Sequence, residues 1–240
     1  MLDRIAGEVG AVASGAELIL EIGAGRGPLT RRLASLGPPV VAIEIDHAFA
    51  KRLRAACPTV EVVVANVLDL DLARLIPGRA VVAGNLPYYI TSPIVRRLCE
   101  AADRISAAIL LVQREVAERI CARPGSSDFG FLSVLCQSHA RAELLFVVPP
   151  GAFRPPPKVF SAVVRLTMHP RFAEWGVTNP AAFFRFAESC FHHKRKTLLN
   201  NLEPLFGRET LRSMPEAPLR AEQLSAEQLA SLFLRLTTRP

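Results

Sequence analysis

Paired cysteines are what this chain most visibly lacks. Its five cysteines (Cys57, Cys99, Cys121, Cys136, Cys190) are odd in number and far apart, and no Cys-x-x-Cys occurs. That spacing argues against a zinc site and against a disulfide framework, and the thiols read as reduced packing residues of a cytosolic protein. Long hydrophobic runs are missing too. None reaches the ~18 residues of a membrane span, and Met1-Leu2-Asp3-Arg4 lacks the apolar region of a signal peptide. The expectation is a cytoplasmic protein with no membrane contact. No internal repeat or low-complexity tract is present. Acid is in short supply: 22 Asp and Glu face 29 Lys and Arg, a net charge of +7 and a pI near 9.6. A basic balance favours a polyanionic partner and salt-sensitive association.

What remains is ordinary globular material, half hydrophobic and 21% charged over 240 residues. A chain of that length buries roughly 70–75% of its unfolded surface without staples. Apolar runs rich in Val and Ile at residues 18–22, 40–45, 60–65, 81–83 and 107–112 alternate with amphipathic stretches such as 29–36 and 47–56. That alternation predicts an α/β fold, a parallel sheet with helices on both faces. Two later runs, 143–148 and 162–166, have no convincing helix between them and read as a hairpin added to the sheet edge. The character changes near Met168. Asn179-Pro180 reads as an N-cap followed by proline at the first helical position. Phe183, Phe184, Ala187 and Phe191 share a helical face. Ser225 and Gln228 have capping-box spacing, with Leu224 and Leu229 as its staple. Residues 1–167 therefore read as one domain and 168–240 as a small helical one.

The first strand runs into Glu21-Ile22-Gly23-Ala24-Gly25-Arg26-Gly27. The glycines let backbone turn sharply and approach a ligand. A dinucleotide fold wants Gly-x-Gly-x-x-Gly; here the spacing is Gly-x-Gly-x-Gly. Glu21 would repel a pyrophosphate but suits a cationic ligand such as S-adenosylmethionine, which carries a sulfonium and an ammonium. Glu44 stands 19 residues after Gly25, where an acid accepts from ribose hydroxyls. Asp46 is the competitor, expected to face the next loop. Asn66 ends the third strand and is either an acceptor for an adenine amine or an ordinary turn asparagine.

The most informative residues are Asn85-Leu86-Pro87-Tyr88, after the run Ala80–Gly84. An adenine amine is a poor nucleophile because its lone pair is delocalised into the ring. Acceptors on its two N–H bonds favour a more pyramidal nitrogen, and the Asn85 side-chain oxygen and Leu86 carbonyl are candidates. Pro87 restricts Leu86 to extended conformations and so holds that carbonyl. Tyr88 offers a stacking face worth ~1–3 kcal/mol. The segment Pro149–Lys158 is too rich in proline to be helical, and its Phe153 is placed to stack on the other face of a flipped base or to sit in the core.

Taken in order, 21–27, 41–46 (Val-Ala-Ile-Glu-Ile-Asp), 84–88, 113–119 (Gln-Arg-Glu-Val-Ala-Glu-Arg), 148–158 and 191–202 resemble the ribosomal RNA adenine N6-dimethyltransferases over nearly the whole chain. The nearest branch is the bacterial small-subunit one, of the kasugamycin-resistance type. The triple-proline segment and residues 113–119 fit it better than the class that dimethylates 23S rRNA and confers macrolide resistance. A non-catalytic ribosome-assembly or transcription factor retaining the fold is the alternative from another class.

The resemblance implies a Rossmann-like methyltransferase sheet with S-adenosylmethionine as donor. It further implies dimethylation of two adjacent adenines near the 3′ end of 16S rRNA in an assembling small subunit, with a monomer as the default. Implied cofactor residues are Glu21, Gly23, Gly25, Glu44, Ile45, Asn66, Val67 and Asn85; implied catalytic residues are Asn85, Leu86, Pro87, Tyr88 and Phe153. RNA contacts fall to Arg114, Arg119, Arg154 and Lys158, and to Lys194, Arg195 and Lys196 in the densest basic segment, 191–201. Arg123 shares helical spacing with Arg114 and Arg119 and extends that basic surface. His192 and His193 point apart on a helix without carboxylates in sequence, so no metal site is expected. Three departures from the family pattern stand out. The family's Gly-Gln-Asn-Phe-Leu-like segment, which closes over the cofactor, precedes the point where this chain starts. Asn66 stands where the family has Asp, and an asparagine still accepts from an amine. Phe160 replaces a common Asp.

Overall fold

A computed structural model describes residues 1–238. The strands are β1 (Leu18–Ile22), β2 (Val40–Glu44), β3 (Glu61–Val64), β4 (Ala80–Asn85), β5 (Ile105–Gln113), β6 (Ala140–Val148) and β7 (Ser161–Met168). The helices are α1 (Leu2–Val12), α2 (Thr30–Leu33), α3 (His47–Ala56), α4 (Leu72–Leu75), α5 (Thr91–Glu100), α6 (Arg114–Cys121), α7 (Phe131–His139), α8 (Phe172–Trp175), α9 (Pro180–Cys190), α10 (Leu198–Phe206), α11 (Arg208–Arg212) and α12 (Ala226–Thr237).

One seven-stranded sheet has the order β3-β2-β1-β4-β5-β7-β6. Its first five strands are parallel, and β7 and β6 pair antiparallel at the edge. This is a Rossmann-like α/β sheet carrying the expected terminal hairpin. The parallel strands read as continuous apolar runs because both their faces are covered: every residue of β1 and β2 is buried. The chain reverses direction in the order between β1 and β4, and the strand ends there open the crevice in which α/β folds bind ligands.

Several boundaries differ from expectation. The second strand stops at Glu44, leaving Ile45 65% exposed. The third is trimmed to Glu61–Val64, and the fourth extends through Asn85. The helix expected over 29–36 is only Thr30–Leu33, because its final turn tightens into shorter-range bonds from Ser35 N to Arg32 O and Leu36 N to Leu33 O.

The chain forms two compact units, Met1–Ala117 with Ala140–His169, and Glu118–His139 with Pro170–Pro240. The expected division at residue 168 thus misses the excursion 118–139. The reason is packing: in α7 the residues Leu132, Val134, Leu135 and Cys136 are buried. His139 stacks on Phe184 with centroids 5.3 Å apart, and Phe131 meets Phe184 edge-on at 6.2 Å. Local caps in this second unit follow the sequence. The Asn179 side chain accepts from Ala182 N at 3.0 Å ahead of Pro180, and Ser225 and Gln228 complete their capping box. Leu224 and Leu229 are both buried.

Candidate active site

Two clefts in the sheet-bearing unit meet at Pro87. The first, about 280 Å³, is lined by Gly23 and Gly25, by Glu44, Ile45 and Asp46, by Asn66 and Val67, and by Pro87 and Tyr89. The second, about 340 Å³, is lined by Asn85, Leu86, Pro87, Tyr88, Phe153 and Pro155–Pro157. Both lie at the C-terminal ends of the strands.

The first cleft is a backbone device. Gly23, Gly25 and Gly27 all have positive φ (75°, 57° and 78°), which side chains resist. Glu44 ties this turn down: its Oε2 accepts from Gly25 N at 2.7 Å and its Oε1 from Asp46 N at 2.8 Å. A carboxylate offers about four acceptor positions, so two remain for a ligand. Asp46 also borders the cleft, and its side chain caps α3, accepting from Ala48 N and Phe49 N. The Asn66 oxygen accepts from Leu68 N at 3.1 Å, so the turn role weighed for it is real, while the residue still lines the cleft. Val67 is buried in the wall.

Glu21 lines neither cleft; it is 2% exposed within β1, beneath the glycine turn. A side chain in the middle of a doubly covered strand has no route to open solvent. Burial pushes its carboxyl up to about 7; the nearby Thr30 hydroxyl opposes that shift, falling short of full hydrogen-bond geometry, and the Glu44 charge adds to it. Its Oε2 is buried with no hydrogen-bond partner. An orphaned acid under a glycine turn fits a ligand that brings positive charge.

The second cleft is built from stiffness. Leu86 N donates to Leu111 O at 3.0 Å and carries the chain on beside β5. Pro87 has φ −59° and ψ 128°, and its carbonyl accepts from Ile90 N and Thr91 Oγ1. Leu86 is 1% exposed, so its carbonyl is held by a buried anchor. The Asn85 side chain is exposed, and no hydrogen bond among the described residues engages its amide. Phe153 is half-buried: it packs on the core and also lines the cleft.

The basic residues divide between the units. Arg114, Arg154 and Lys158 belong to the first, and Arg119, Lys194, Arg195 and Lys196 to the second; all are exposed. Residues 191–196 are turns joining α9 to α10, not a helix face. The helix stops at Cys190 because Asn201 captures the following backbone. Its Nδ2 donates to Cys190 O and His193 O, and its Oδ1 accepts from His193 N. Lys194 Nζ donates to Ser127 O. Arg123 lies beyond the end of α6. No group of three or more metal-ligating side chains occurs among the described residues, and no helix there is long and apolar enough to cross a membrane.

The lining residues Phe49, Tyr89 and Ile90 were not anticipated; Tyr89 is 86% exposed. Tyr89 sits beside Tyr88 in sequence and Phe49 in the first turn of the helix after Glu44, and those neighbourhoods were the available signals.

Comparison with known proteins follows the same lines. Residues 13–238 match the family model described as ribosomal RNA adenine dimethylase. A ribosomal RNA small subunit methyltransferase A of Acidobacterium capsulatum is 48% identical over 236 residues, covering 94% of this chain and 83% of that protein. The crystal structure of a dimethyladenosine transferase from Plasmodium falciparum superposes with a TM-score of 0.78 at 25% identity, covering 97% of this chain and 94% of the other. The 23S rRNA methyltransferase ErmE gives 0.69 at 28% identity, with 96% and 97% covered.

Proposed function

Because this chain belongs to the ribosomal RNA adenine dimethylase family, we propose that it moves methyl groups from S-adenosylmethionine to N6 of two adjacent adenines near the 3′ end of 16S rRNA, within an assembling small subunit. The observation that carries this reading is the pair of clefts meeting at Pro87, one backed by buried acid and one presenting acceptors and aromatic faces.

The bound donor would supply an electrophilic sulfonium methyl. Glu44 keeps two acceptor positions for ribose hydroxyls, and Asn66 and Val67 would border the adenine. Glu21 contributes negative charge from beneath the turn, in a medium where charge acts strongly. On the substrate side, the Asn85 oxygen and the Leu86 carbonyl accept the two N6–H bonds of a flipped adenine and free its lone pair. Tyr88 and Phe153 enclose the ring, offsetting the few kcal/mol that extrusion costs. No general base is required, since the methylated ammonium is acidic and sheds its proton to solvent. The rate then comes from positioning and preorganised acceptors. Arg114, Arg119, Arg154, Lys158, Lys194, Arg195 and Lys196 would meet phosphates, which fixes register without reading sequence.

The deciding experiment supplies the protein with labelled S-adenosylmethionine and small subunits that lack these methyl groups, then maps the 16S rRNA 3′ end by mass spectrometry. Dimethylation of two adjacent adenines is expected. Label appearing only in 23S rRNA would move the chain to the macrolide-resistance class. Absence of cofactor binding at millimolar concentration would leave a non-catalytic assembly factor.

A further inference from the structure

The Tyr88 hydroxyl and the Ser161 Oγ lie 2.6 Å apart, joining residues 73 positions distant in sequence. Ser161 opens β7 and is completely buried. It is paired on both sides, with Gln113 of β5 and Val148 of β6, so it occupies one of the most restrained points at this end of the sheet. Tyr88 lies three residues past Asn85, on the chain leaving β4. In the strand order β4-β5-β7 the bond therefore reaches across two inter-strand spacings, roughly 10 Å.

The first side-chain torsion of a tyrosine has three staggered wells. A ring fixed only at its Cβ end swings between them and carries its stacking face with it. The hydroxyl oxygen sits at the far end of the ring's long axis, so a hydrogen bond there holds the ring against that swing. The partner is a neutral serine, so the hydroxyl is committed to holding the ring and not to moving a proton. We propose that Ser161 is a positioning residue that holds the Tyr88 ring in a single rotamer, and through it the placement of the target adenine over Asn85 and Leu86. This rests on the base-clamp reading of Asn85–Tyr88 given above.

The test uses Ser161→Ala, Tyr88→Phe and the double variant of the full chain. A misplacement near 1 Å costs up to ~10²-fold in rate. Each single change is expected to lower kcat about tenfold while leaving the KM for RNA and cofactor affinity within about twofold. The double variant is expected to be no slower than either single one, since both remove the same bond. Full turnover by Ser161→Ala, or losses that multiply in the double variant, would overturn the proposal. Tyr88→Phe leaves Ser161 in place and serves should Ser161→Ala not fold. A second readout does not depend on turnover. The chain has two tyrosines, so selective tyrosine labelling resolves them by NMR. The Tyr88 side chain is expected to hold one rotamer of its first torsion in the native chain, read from its Hα–Hβ couplings, and to average over rotamers in Ser161→Ala. Couplings unchanged by Ser161→Ala would also overturn the proposal. A native chain that transfers no methyl group at all would instead count against the reaction proposed above, and the NMR comparison would still decide the tether.

Discussion

The two clefts that meet at Pro87 are made by opposite means. In the first, polar groups already have protein partners: Glu44 holds Gly25 and Asp46, Asp46 holds α3, and Asn66 holds Leu68. In the second, the Asn85 amide stands exposed, and rigidity comes from Pro87, the proline loop and the Tyr88–Ser161 bond. The difference separates two tasks. A pocket that must hold a flexible cationic ligand gains from groups locked in place beforehand. A site that must loosen an amine lone pair needs an acceptor not yet spoken for.

Asn85→Ala should break the comparison most sharply. Turnover is expected to fall by about 10²–10³-fold, with RNA affinity nearly unchanged, measured by single-turnover methylation beside filter binding. An Asn85→Ala enzyme at full rate would remove the amine-gripping role. Glu44→Ala acts on the other side. Removing the carboxylate strands two backbone donors, so a stability loss of about 2–4 kcal/mol is expected, together with weakened cofactor binding, read by denaturant titration and calorimetry.

Glu21 sharpens the contrast through pH. Its folded pKa is raised from 4.5 to about 7. The folded state therefore binds the proton more tightly than the unfolded state. Its contribution is fully present below pH 4.5 and is lost as pH rises through about 7, up to roughly 3 kcal/mol. The ligand-free protein should lose stability between pH 5 and 8 as ~2.5 pKa units unwind, and Glu21→Gln should flatten this segment of the profile. A cationic ligand has the opposite preference. Affinity for S-adenosylmethionine should be about tenfold weaker at pH 6 than at pH 8, because few copies are then ionised. Identical affinities would mean that the Glu21 charge is not felt in the cleft.

The smallest expected effect falls on the seam. Gly84 pairs with Ile22, and a Cβ there would lie 2.9 Å from both Ile22 O and Leu86 Cδ2. Gly84→Ala should cost about 1–3 kcal/mol of stability. It should also lower cofactor affinity and turnover together, because it pushes the two strand ends apart. A loss confined to one cleft would show that they are mechanically independent.

Much of this was legible in the chain itself. Doubly covered strands announce themselves as unbroken Val and Ile runs, and the missing helix between β6 and β7 revealed the antiparallel edge. Asn179-Pro180 and Ser225–Gln228 are local bonds within one helical turn, so their residues suffice to read them. Other features left no local trace. The Tyr88–Ser161 bond depends on strand order. The turn at 191–196 depends on Asn201, several residues downstream, capturing the backbone of Cys190 and His193. The place of α7 depends on aromatic partners more than forty residues away, such as Phe184. Burial of Glu21 was hidden because an acid ahead of a glycine turn looks like a surface residue.

That discontinuous second unit imposes a timetable on synthesis. The sheet has all seven strands once Met168 has emerged, so it can close early. By then α7 is already made, with its apolar side chains lacking α9 and α12, which come last. For that interval the nascent chain carries a sticky helix between two finished strands, a state prone to mispairing. Shortening the chain at residue 169 would make the interval permanent, so the helical unit cannot be removed by trimming the C-terminus alone.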